Sequence, residues 1–171
     1  ITAIAVGAGV LVAGPNVQAK TIQELVALAK QNPGKLTFGA ASSFSRVAVE
    51  QFKMMVGADL LYVPYKGAPA ALTDLMGGQI DVYFDTTLFV MPHVRSGKVR
   101  ALGVSAPKRI AGYDDIPTIA EQGVPGYEFF GWQAIFAPAK TPAEIVNRVN
   151  GAIVATLKSK EGMEFLGRSA W

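Results

Sequence analysis

Apolar residues in this chain come in short unbroken runs, each followed by a small or polar turn and then by apolar positions spaced three or four apart. Val10-Leu11-Val12-Ala13, closed by Gly14-Pro15-Asn16, has the pattern of a central strand and its turn. Thr21 stands three residues before Glu24, a capping-box signature. Ile22, Leu25, Val26 and Ala29 then recur at helical spacing until Asn32-Pro33-Gly34 stops them. Residues 36–38 read as the next strand. An amphipathic run over 46–56 puts Ala48, Phe52 and Met55 on one face and stops at Gly57. The rhythm continues with a strand at 60–63, then a short helix carrying Leu72, Leu75 and Met76 and ending at Gly77-Gly78. A strand at 80–84, a helix from about 88 to 96 and a strand at 99–104 complete it. Strands alternating with helices of this size predict an α/β lobe over residues 8–106, with a mostly parallel five-stranded sheet covered on both faces.

After Val104 the pattern changes. Residues 107–126 are rich in Pro, Gly and Asp, with one short capped helix predicted from Thr118 and Glu121. Residues 129–137 predict a long apolar strand containing Trp132. Thr141-Pro142-Ala143-Glu144 predicts a helix with Thr141 as N-cap, whose stripe is Ile145, Val149, Ile153 and Leu157. One strand and one helix do not close a domain. Either they belong to a second lobe whose other strands lie upstream of Ile1, the favoured reading, or they pack back on the first lobe. The opening run 1–14 is uncharged and too short to span a bilayer, and it lacks the basic start of a signal peptide. It reads as the start of the folded part or as the interior of a longer chain.

Composition narrows the chemistry. Half of the 171 residues are apolar and 17% are charged, which is a globular balance. The net charge of +3 is small and the basic residues are scattered, unlike a nucleic-acid footprint. With no cysteine and one histidine, thiol catalysis, disulfides and His/Cys metal sites are removed together. His93 falls within a short predicted helix, and no nucleophile-elbow, dinucleotide or phosphate-loop pattern is present. No catalytic residue, metal or cofactor is therefore predicted. Met54, Met55 and Met76 are expected in the core.

In an open parallel sheet, ligands bind outside the carboxyl ends of the strands. Three outlets there are expected to converge: residues 39–45, 64–67 and 85–87. The first joins a strand to a helix, so it presents unpaired backbone N–H groups and the positive end of the helix to an anion. A plain βα loop with a serine N-cap is the competing reading. The candidate ligand-binding residues are Ala41, Ser42, Ser43, Phe44, Ser45, Arg46, Tyr65, Lys66, Asp85 and Thr86. Tyr65 is expected to wall a pocket or to be a half-buried loop aromatic, and Lys66 to neutralise an anion or to be solvated. Asp85 is expected to hold a water or an ammonium, or to cap the following helix.

The phrases Pro33-Gly34-Lys35-Leu36, Tyr62-Val63-Pro64-Tyr65-Lys66-Gly67 and Ala70-Ala71-Leu72-Thr73-Asp74-Leu75 follow one another in an informative order. Gly77-Gly78-Gln79-Ile80-Asp81-Val82, Phe84-Asp85 and Gly97-Lys98-Val99-Arg100-Ala101-Leu102 continue it. Ile116-Pro117-Thr118-Ile119-Ala120-Glu121, Gly126-Tyr127 and the Ala137-Pro138 to Thr141-Pro142 region complete it. Over residues from about 10 to 166 the chain resembles the solute-binding proteins of tripartite tricarboxylate transport systems, the Bug family. The resemblance implies a fold like that of type II periplasmic binding proteins and a non-catalytic extracytoplasmic receptor. Such a receptor captures a small di- or tricarboxylate or related organic acid between two lobes and delivers it to a membrane permease. It implies ligand carboxylates held by backbone amides, hydroxyls and ordered waters, with contacts at the positions of Ser42 to Ser45 and Asp85-Thr86. Phe44 and Arg46 depart from the family's glycine- and threonine-rich outlet. Phe44 is expected to narrow the pocket or favour an apolar ligand body, and Arg46 to pair with a carboxylate or face solvent.

The resemblance also implies that 8–106 is the second lobe, 107–128 a return segment, and 129–171 the C-terminal part of the first lobe. About one hundred residues would then be absent upstream. The stripe of the last helix would be left to pack elsewhere, for example on another copy as a homo-oligomer. The alternatives are a non-catalytic interaction or sensory module of the same fold or, further off, a small-molecule enzyme.

Overall fold

The computed structural model describes residues 1–168. Six strands and six helices occur in the order β1 (Thr2–Ala13), α1 (Ile22–Gln31), β2 (Thr37–Ala40), α2 (Ser43–Val56), β3 (Leu61–Pro64), α3 (Ala68–Met76), β4 (Val82–Thr86), α4 (Thr87–Arg95), β5 (Arg100–Val104), β6 (Phe130–Ile135), α5 (Ala143–Lys158) and α6 (Lys160–Arg168). The five strands and four intervening helices expected up to Val104 are all present.

The main sheet has the order β3-β2-β4-β1-β5. β2 pairs in parallel with β3 and β4, whereas β1 runs antiparallel to both β4 and β5. Four strands thus share one direction and β1 opposes them, so the sheet is mostly parallel with one reversed central strand. An apolar run buried on both faces carries no sign of its direction, which is why the reversal was not visible in Val10 to Ala13. β1 is also three times longer than expected. Its first half pairs antiparallel with β6, from Thr2↔Ile135 to Ala8↔Phe130, and its second half enters the main sheet. One strand therefore belongs to both parts of the fold.

Successive residues of β1 serve opposite faces, as the period of a strand requires. Leu11 and Ala13 join Ile22, Leu25, Phe38, Phe52 and Phe84 in one core under α1 and α2. Val10 and Val12 join Leu72, Leu75, Tyr83, Val90 and Met91 in a second core under α3 and α4. The sheet is covered on both faces, as the sequence predicts.

Some local expectations are corrected. Thr118 and Glu121 do make the reciprocal bonds of a capping box, at 2.8 and 3.0 Å, but turns follow instead of a helix. The chain there is held by its neighbours: Val104 N–H donates to Pro117 O, Ile119 N–H donates to Val104 O, and Ile119 is fully buried. The segment after Val104 is accordingly packed, with Tyr127 buried edge-on to Phe52 and its hydroxyl donating to Ala48 O at 2.9 Å. α5 begins after Pro142 with no side-chain cap, so Thr141 is not its N-cap. Met54 and Met55 are exposed, at 83% and 42%, in the last turn of α2 beyond the buried Phe52, and of the three only Met76 packs against a core.

Candidate ligand-binding site

The carboxyl ends of β2 and β4 are adjacent, and each leads directly into a helix. β2 also pairs with β3 on its other side, while α2 and α3 pack on opposite faces. The chain thus diverges between β2 and β4, the place where an open α/β sheet leaves a crevice. A cavity of about 400 Å³ lies there, lined by Ser42, Phe44, Asp85, Thr86, Leu88, Phe89, Gly131, Trp132 and Gln133. No Lys, Arg or His is among these residues.

α2 starts at Ser42, whose side chain accepts from Ser45 N–H at 3.2 Å while Ser45 Oγ accepts from Ser42 N–H at 3.1 Å. Ser45 Oγ also accepts from Ala41 N–H at 3.1 Å and donates to Ser42 O at 3.0 Å. Ser45 is fully buried, so its hydroxyl organises the turn. The first-turn N–H groups of Ser43 and Phe44 have no acceptor within the helix. α4 starts after Thr86, whose side chain makes no capping bond. Two helix N-termini therefore border one cavity, and together they supply a positive potential without a cationic side chain.

Asp85 is the charged group of the cavity wall. It is buried; its Oδ1 accepts from Thr86 N–H at 2.8 Å, and its Oδ2 accepts from the hydroxyl of the fully buried Tyr83. The N-cap position of α4 is Thr86, and Asp85 accepts that residue's N–H. Burial pushes the Asp85 carboxyl above its ordinary value, while the Tyr83 hydroxyl and the Thr86 amide act against that rise. Burial and the neighbouring carboxyl push the Tyr83 phenol upward as well, so it remains a donor.

An aromatic cluster forms the inner wall. Phe44 lies 5.6 Å from Phe84 and 5.1 Å from Phe129, ring centre to ring centre. Two glycines make room for it. A Cβ at Gly9 would overlap the Phe84 ring, and one at Gly131 would stand 2.9 Å from the Phe44 ring.

Among the sequence candidates, Ser42, Phe44, Asp85 and Thr86 line this cavity. Ala41 and Ser43 flank the turn, and Ser45 lies beneath it. Arg46 points elsewhere, its guanidinium 4.7 Å above the Tyr62 ring. The third outlet lies beside the first, with Tyr65 N–H donating to Ala40 O at 2.9 Å, although its residues are not in the lining of this cavity. Tyr65 there donates to Asp74 Oδ2 at 2.7 Å, with its phenol pushed up to about 12 by burial and that carboxylate. Lys66 is exposed. Leu88, Phe89, Gly131, Trp132 and Gln133 were not foreseen as lining residues. The exposed apolar pair directly after the Asp85-Thr86 outlet was a usable signal; the arrival of β6 was not. A second hollow of about 500 Å³ sits at the opposite strand ends, beside Gly14, Lys98 and Asp115, where Arg100 donates to the carbonyls of Val17 and Ala19.

This sheet, with a cleft at its carboxyl edge bordered by helix N-termini, has a periplasmic-binding-protein-like α/β fold. A solved periplasmic transporter structure superposes with TM-score 0.89 at 34% identity, over 99% of this chain and 57% of that one. The family model described as Tripartite tricarboxylate transporter family receptor matches residues 1–170, and the chain belongs to that family. Among curated relatives, a Pseudomonas sp. protein named for the tcbD-tcbE intergenic region is 34% identical over 160 residues, 92% of this chain and 48% of the relative. Protein BugT of Bordetella pertussis is 33% identical over 157 residues, 91% and 48% of the two chains. The chain spans about half the length of these curated relatives. Among solved structures, Rpa4515 of R. palustris with adipate superposes with TM-score 0.93 at 34% identity, over 98% of this chain and 57% of that one. MatC of Rhodopseudomonas palustris with bound malate gives 0.91 at 27%, over 98% and 58%.

Proposed function

We propose that this chain forms the carboxylate-binding part of an extracytoplasmic solute receptor, which captures a small organic acid and passes it to a membrane permease without chemical change. The observation that carries the reading is the convergence of two helix N-termini, at Ser42 and Thr86, on one cavity with no cationic side chain among its described lining residues. Amides aligned by helices hold a carboxylate and still release it, as delivery requires. Ser42, Ser43, Phe44, Asp85 and Thr86 are the contacts this reading uses first, with Ala41 and Ser45 shaping the turn. Arg46, Tyr65 and Lys66 keep a role only at the rim. The adipate and malate found on two relatives support the ligand class.

The proposed division is a ligand-binding lobe at 8–106, a return segment at 107–128, and at 129–171 a contribution to a second lobe. Trp132 and Phe136 are 63% and 72% exposed, and α5 has no buried residue although it is amphipathic. Those surfaces fit a further layer of the same receptor. Pairing of two copies through α5 is the competing use, and sedimentation of the chain at increasing concentration separates the two.

Thermal unfolding against a panel of dicarboxylates, tricarboxylates and acidic amino acids tests the function. A ligand that binds only the folded state at a hundred times its Kd adds about 2.7 kcal/mol of stability. The expected result is stabilisation by some member, with the ligand recovered unchanged. A folded protein that no member stabilises, alone or extended at its start to family length, would turn the assignment toward an interaction module.

A further inference from the structure

We infer that the carboxylate taken by this cavity has a body of plain carbon, a chain or ring without hydroxyls, and that Phe44, Phe89 and Trp132 select it. The inference rests on the receptor reading above. Phe44 is fixed in place by Phe84, Phe129 and the bare backbone of Gly131, so it is a rigid wall. Leu88, Phe89 and Trp132 are in the same lining and are 43%, 45% and 63% exposed. Large apolar groups left open beside a polar helix end form a site with two ends, one for charge and one for carbon.

Two polar side chains of the lining, those of Ser42 and Asp85, are committed within the protein. Ser42 is engaged by Ser45, and both oxygens of Asp85 are engaged by Tyr83 and the Thr86 amide. That leaves Thr86 and Gln133, which sit with the helix N-termini as partners for the carboxylate. A hydroxyl on the ligand body would leave water to face rings and a leucine, which is unfavourable without a partner. Adipate and malate, the ligands of two relatives, differ in this respect: the first has an unsubstituted chain and the second carries a hydroxyl. The lining here matches the first type.

The test is calorimetric titration of the protein with adipate, benzoate, malate and citrate, followed by the same titrations on Phe89→Gln and Trp132→Gln. Both positions are exposed, so neither change removes a core contact. Adipate or benzoate is expected to bind about tenfold to a hundredfold more tightly than malate and citrate, the discrimination an apolar pocket gives against one hydroxyl. Each Gln variant is expected to shrink that ratio. Malate or citrate binding as tightly as adipate and benzoate would overturn the selection and leave the receptor reading standing. Full preference retained in both variants would overturn the role of these side chains. Binding of none of the four would overturn this inference, and only failure of the wider ligand panel would reach the receptor reading.

Discussion

Replacing Tyr83 with Phe keeps the ring in its fully buried slot and deletes one hydroxyl. That hydroxyl donates to Asp85, a buried carboxyl that also accepts from the Thr86 amide. A hydrogen bond to a charged group contributes about 1.5–3 kcal/mol, and its loss leaves a buried acceptor half-satisfied. For a chain of this size, about 2 kcal/mol corresponds to a fall in Tm of about 4–8 °C. The loss should depend on pH. Asp85 has its folded pKa raised above the ordinary 3.8, so burying the charged form costs stability above the folded pKa. As pH falls through that pKa toward 3.8, the native state takes up a proton that the unfolded state does not, and stability is regained. Removing the Tyr83 hydroxyl removes an influence that lowers the pKa, so the Phe variant starts this recovery at higher pH. The difference between the two proteins is therefore greatest above both folded pKa values and shrinks on acidification. Urea unfolding at pH 8, 6 and 5 reads it directly. Equal losses at every pH, or a Phe variant as stable as its parent at pH 8, would refute the argument.

Other consequences are simpler to read. Ser45→Ala removes the acceptor for the Ala41 and Ser42 amides at a fully buried position, so a loss of about 1–3 kcal/mol is expected, together with weaker carboxylate binding in a titration. Gly131→Ala brings a methyl group to 2.9 Å from the Phe44 ring; chemical denaturation should show a loss of about 1–3 kcal/mol, and any carboxylate that binds should lose affinity. Tyr127→Phe deletes the bond to Ala48 O and should cost about 1 kcal/mol in the same assay. Met54→Lys, at a side chain 83% exposed, should change stability by no more than about 0.5 kcal/mol; a larger loss would return Met54 to the core.

Local patterns settled much of this molecule. The runs at 10–13, 36–38, 60–63, 80–84 and 99–104, the first four each followed by a helix and a glycine stop, were enough for five strands, four helices and a sheet covered on both faces, because side-chain period and turn chemistry are written residue by residue. The serine N-cap at this turn was legible for the same reason, since a cap joins near neighbours in sequence, whereas its reciprocal partner Ser45 was not foreseen. Direction and convergence were not. Nothing within Val10 to Ala13 tells the strand to oppose its neighbours. Asp85 could be named but not understood until Tyr83, two residues earlier, was seen to share its partner role with the Thr86 amide in a buried place. The rest of the cavity wall came from β6, more than forty residues further along the chain, through its pairing with the first half of β1. Sequence determined what each segment is, since that depends on neighbours along the chain; tertiary structure decided what each segment meets, since that depends on which strands pair and in which sense.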